Sequence, residues 1–84
     1  MFNQGFTVSG SSLKLLSIGE CGIITPPRNV DSTLLNKLNA MGLSPGTLIT
    51  VEQRFPRFMV RAGNHRIALS DPMMRAIYVR LVKR

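Results

Sequence analysis

The chain reads as a small, mainly β domain: a partly open barrel of about five short antiparallel strands, one short helix near residues 31–41 and a brief helical turn near 71–76. Three observations predict it. Branched and aromatic residues recur in short alternating runs, TLITVEQRF, RFMVRA and IYVRLV. Turn formers separate those runs, at Pro45-Gly46, Pro56, Gly63-Asn64 and Asp71-Pro72. Only Leu34, Leu35, Leu38 and Met41 fall at helical spacing and make one apolar face.

The elements follow in order. Residues 1–12 are rich in Gly, Ser, Asn and Gln and are expected to be a flexible tail, with residues 13–84 forming the single domain. LKLLSIGECG suggests a short helical turn or lead-in loop, closed by Gly19 and Gly22. Gly22 to Thr25 reads as a first strand, which Pro26-Pro27 ends because proline cannot donate into a ladder. Asp31 suits the N-cap of a helix over Ser32 to Met41, since its carboxylate can accept the free amides of the first turn. Gly42 ends that helix, and Leu43 can fold back on it in a Schellman-type cap. Pro45-Gly46 launches a strand in which Ile49 and Val51 face inward and Leu48, Thr50 and Glu52 face out.

Beyond Pro56, Phe58, Val60 and Ala62 point one way while Arg57, Met59 and Arg61 point the other. Gly63-Asn64 is a two-residue hairpin signal, with HRIALS as the return strand. Ser70 or Asp71 caps a helical turn carrying Pro72 near its start, and IYVRLV closes the chain.

Composition narrows the function. At 44% hydrophobic and 18% charged, the 84 residues lie far from a disordered profile and form one small domain. No apolar run approaches the roughly 18 residues of a membrane span. No secretory signal is visible, and the lone Cys21 rules out an internal disulfide. A soluble cytosolic protein without membrane insertion is therefore expected, as a monomer or weak homo-oligomer. The net charge of +7 is unevenly placed. Up to Glu52, Lys14, Arg28 and Lys37 balance Glu20, Asp31 and Glu52. From Arg54 onward, Arg54, Arg57, Arg61, Arg66, Arg75, Arg80, Lys83 and Arg84 face Asp71 alone. Such a surface suits nucleic acid, an anionic membrane or an acidic protein, and it also serves solubility.

Catalysis has little to work with. His65 beside the hairpin, Cys21 and the four carboxylates show no motif spacing. A metal site would want several His, Cys or carboxylate ligands close together, and the glycines form no phosphate loop. No cofactor, metal site or enzyme activity is expected. Binding is left, and Arg57, Met59 and Arg61 offer an adaptable basic face, unless that face is simply solvated. With one tyrosine and no tryptophan, stacking platforms for nucleic acid are sparse.

The run L-x-x-M-G-L-x-P-G-T from Leu38 to Thr47, the hairpin carrying Arg66, Ile67, Ala68 and Leu69, and the closing DPMMRAIYVRL resemble the FeoA family of ferrous iron transport proteins. The likeness covers about residues 13–82. It implies an SH3-like barrel, a fold shared with the C-terminal domain of some metal-dependent bacterial repressors. It also implies a non-catalytic partner of FeoB, the membrane ferrous iron transporter with a cytosolic G-protein domain, and with it a cytoplasmic location and contact with the membrane through that transporter. On this resemblance Leu35, Leu38, Leu43, Pro45 and Gly46 are candidate partner-binding residues, beside Arg57, Met59 and Arg61 from the basic face. Leu38 leads, although it would equally serve as a core leucine. The N-terminal tail and the short basic loop at Pro56 depart from the family pattern. The alternative is a basic SH3-like module that binds nucleic acid or acts in metal-dependent transcriptional regulation, against which stands the lack of a helix-turn-helix before the barrel.

Overall fold

The computed structural model describes residues 10–26 and 30–82. Its elements are β1 (Ser11–Ser12), a 3-10 turn (Leu13–Leu15), β2 (Cys21–Ile24), α1 (Ser32–Ala40), β3 (Leu48–Gln53), β4 (Phe58–Ala62), β5 (His65–Leu69), α2 (Asp71–Ala76) and β6 (Tyr78–Val82). The strands form one antiparallel sheet in the order β1-β6-β2-β3-β4-β5. The mainly β fold with one main helix and a short second one is as expected. A sixth strand is added, because Ser11 and Ser12 pair with Val79 and Tyr78 of β6. By composition those two residues belong to the end of the tail, and their pairing with β6 corrects that expectation; residues 1–9 lie outside the described part.

The sheet curls round one core. Ile24 of β2, Ile49 and Val51 of β3, Phe58 and Val60 of β4, Leu69 of β5 and Val79 of β6 belong to a single buried cluster, so the two ends of the sheet share an interior. Leu13 and Leu16 plug it from the 3-10 segment, and Leu38 and Leu43 cover it from the helix side. Ile49, Val51, Val60 and Val79 are fully buried, as period-2 alternation requires of the inward face.

Two local features shape the outer face. Between Val51 and Gln53 the β3–β4 register slips by one, so Val51 sits opposite Val60 and Gln53 opposite Met59. Glu52 is the extra residue of this bulge, a device that re-aims a side chain. At β2, a Cβ on Gly22 would lie 2.7 Å from Val79 Cγ2, so the missing side chain lets β6 pack closely.

Candidate partner-binding site

The helix-to-strand corner is built from its caps. The Asp31 carboxylate accepts from the amides of Thr33 at 2.7 Å and Leu34 at 3.3 Å, which starts α1. At the other end the Gly42 amide donates to the Asn39 carbonyl at 3.0 Å and the Leu43 amide to the Leu38 carbonyl at 2.9 Å. Gly42 has φ +84°, so this is a complete Schellman cap. Its apolar pair, Leu38 and Leu43, is 4% and 2% exposed. A turn follows in which the Thr47 amide reaches the Ser44 carbonyl at 3.2 Å, with Pro45 in second place and Gly46 at φ +94°, a type II geometry. The Gly46 amide donates to Ile24 O at 2.8 Å and the Ile24 amide to Thr47 O at 2.9 Å, which ties the corner to β2.

The eight candidate residues therefore do not form one surface. Leu38 and Leu43 lie in the core, Leu35 is half-buried, and Pro45 and Gly46 stand on the exposed turn. Met59 is half-buried on the outer face of β4, flanked by exposed Arg57 and Arg61. Arg61 belongs to a cluster: its Nε lies 2.5 Å from Glu52 Oε2, while Arg66 Nε lies 2.8 Å from Glu52 Oε1. Arg61 and Arg66 are direct cross-strand partners, a like-charge placement that is unfavourable unless something neutralises it. The bulged Glu52 does so. Its carboxyl is held below the ordinary 4.5, chiefly by the hydrogen bond from Arg61, with further help from the two guanidinium charges and against partial burial.

The basic third of the chain is correspondingly less free than its composition implies. Arg54 donates from Nη1 to Leu16 O and from Nη2 to Lys14 O, both at 2.9 Å, and its guanidinium lies 6.0 Å from the centre of the Phe58 ring. It clamps the 3-10 turn to the end of β3. Arg75 pairs with Asp71 one turn away on α2 at 2.9 Å. Among the described residues, Arg57 and Arg80 are exposed and have no ion-pair partner.

A groove joins the corner to the basic face. Ala40, Met41 and Gly42 form one wall, and His65 through Ala68 of β5 form the other. The sequence did not join Met41, His65 and Arg66 into one surface, because the turn of α1 that ends beside β5 is brought there by the curl of the sheet. Among the described residues no three His, Cys, Asp or Glu side chains gather as a metal site. Cys21 is buried, with Sγ 3.3 Å from Thr50 Oγ1. No helix among the described residues is long and apolar enough to cross a membrane.

Comparison with known proteins gives this geometry its setting. The model of the FeoA domain matches residues 11–81. The chain is 49% identical over 81 residues to the "Putative Fe(2+) transport protein A" of Leptolyngbya boryana, covering 92% of this chain and 95% of that one. A crystal structure described as the iron uptake regulatory protein FeoA superposes with a TM-score of 0.78 at 25% identity, covering 88% of this chain and all of that one. The IdeR protein of T. acidophilum superposes at 0.83 with 20% identity, covering 94% of this chain but 37% of that one, which is a likeness of fold. The barrel, its capped corner and the match across nearly every described residue lead to one conclusion: the chain belongs to the FeoA family.

Proposed function

We propose that the chain is a non-catalytic cytosolic accessory protein of ferrous iron uptake that binds the FeoB transporter on its cytosolic side and modulates transport. The observation that carries the reading is the extent of the FeoA domain, residues 11–81 of 84. The reading therefore places the function on the surface of that domain. That surface offers a rigid corner, a groove beside a strand and a basic face, which are the parts of a docking module. Ferrous iron is then the transporter's cargo and need not touch this chain.

Titrating the purified chain against the soluble G-protein domain of the cognate transporter, and against the whole transporter in detergent, tests the reading. Binding on the order of micromolar is expected, in the range of a transient interface. If neither form binds, with or without nucleotide, while duplex DNA binds tightly with a steep salt dependence, the chain acts on nucleic acid instead.

A further inference from the structure

Strand β5 is the last strand of the sheet, so among the described residues one of its sides has no strand partner. The hairpin register says which groups face that side. Ala62 and His65 flank the two-residue turn and form a bonded pair, and bonded pairs then alternate along the ladder. Val60 with Ile67 and Phe58 with Leu69 are therefore bonded as well. The amides and carbonyls of Arg66 and Ala68 point the other way, out of the sheet. No proline interrupts β5, and its register to β4 runs without a bulge. Sheet edges normally carry such devices to prevent pairing with other chains. Here the open side faces a groove of about 620 Å³ whose far wall is Met41 and Gly42.

Charge selects the occupant. On the outer face beside this edge stand Arg57, Arg61 and Arg66, with Glu52 shared between the last two. A second copy of the chain would bring its own Arg66 and another +7 of net charge to the same edge. An acidic strand would be attracted. We propose that the free edge of β5 docks an extended acidic segment of a partner protein, which adds a strand to the sheet. The period of two fixes its pattern. Acidic residues lie on the outer side near Arg61 and Arg66, and apolar residues alternate with them toward half-buried Met41 and Ile67. Main-chain bonds to Arg66 and Ala68 supply affinity and the alternation supplies selectivity. This inference holds whether or not the partner is the transporter.

The test uses the full chain and a synthetic peptide of about eight residues alternating Glu with Val and Thr, beside a twin with Lys in place of Glu. Amide shifts from NMR should move first at Arg66 and Ala68 with the Glu peptide and stay still with the Lys twin. Ala68→Pro removes an outward amide and leaves the bonded positions Ile67 and Leu69 untouched, which is where an edge strand tolerates proline. It should weaken the Glu peptide by at least about tenfold. Arg66→Glu, at an exposed position, should do the same and decides the matter if the proline variant does not fold. Equal binding of both peptides, unchanged binding in Arg66→Glu, or shifts centred away from β5 would overturn the proposal. So would shifts at Arg66 and Ala68 that grow with protein concentration in the absence of peptide, since the edge would then belong to a second copy.

Discussion

Leu38 and Leu43 hold the corner by burying their side chains, and that sets how any variant there must be read. Replacing Leu38 by Ala should lower unfolding free energy by about 2–5 kcal/mol in urea melts, the range for emptying a buried leucine site. A loss of partner binding in that variant then reports folding. Arg57→Ala and Pro45→Ala change exposed groups, so a binding defect with an unchanged melt would locate a true contact. Glu52 makes a different kind of prediction. Its carboxyl titrates lower in the folded chain than in the unfolded one, so the unfolded state binds the proton more readily. The stabilisation is present above the ordinary value of 4.5 and is lost as pH falls through the lowered folded value. Glu52→Gln should flatten that acid loss in melts recorded from neutral pH downward, and an unchanged slope would mean that the two arginines do not stabilise the ionised form.

At the level of elements, two fittings decide how pieces meet. Gly22 lets β2 and β6 approach, with the site of its absent Cβ 2.7 Å from Val79 Cγ2 and 3.3 Å from Arg80 O. Gly22→Ala should cost about 1–3 kcal/mol by overpacking, measured by thermal or urea melts. Val79→Ala combined with it should not restore the loss, because the Val79 Cβ that alanine keeps lies 2.8 Å from the same site and Val79 is fully buried. The second fitting is the Arg54 clamp. Its two bonds at 2.9 Å reach carbonyls of the 3-10 segment that no strand satisfies. Arg54→Met keeps the stem and loses the fork. Faster amide exchange is expected at Leu16, whose amide closes the 3-10 turn onto Leu13 O, with little change in β3. Equal exchange in both chains would show that Leu13 and Leu16 hold that segment by burial alone.

Across the whole molecule, the positive excess is spread among structural and exposed roles. Arg54, Arg61, Arg66 and Arg75 are engaged within the chain, whereas Arg57 and Arg80 face solvent with no ion-pair partner among the described residues. The net +7 still acts at a distance, and its influence shrinks within a Debye length of about 8 Å at physiological salt. Association with an acidic partner should therefore slow as salt rises, while dissociation changes less, in stopped-flow mixing. Salt-independent association would assign recognition to the apolar groove without electrostatic steering.

Much of this was legible in the order of residues because the signals are local. Asp31 before a helical stripe, Gly42-Leu43 after it, Pro45-Gly46 and Gly63-Asn64 each act within a few positions, and each forms the cap or turn that its chemistry favours. The inward set Ile49, Val51, Phe58 and Val60 followed from period two. What the sequence could not show depends on contacts between distant segments. The pairing of Ser11–Ser12 with β6, the bulge that turns Glu52 toward Arg61 and Arg66, and the Arg54 clamp all join residues far apart in the chain. The candidate surface divided for the same reason: alternation says which side of a strand a residue faces, but only the curl of the sheet decides which strand is left at its edge. By itself, then, the sequence determined the caps, the turns and the inward face, through bonds and steric limits spanning a few residues. Tertiary structure alone placed Leu38 and Leu43 inside, paired the arginines with Glu52 and left β5 open beside α1, because burial and strand order depend on the whole chain closing round one core.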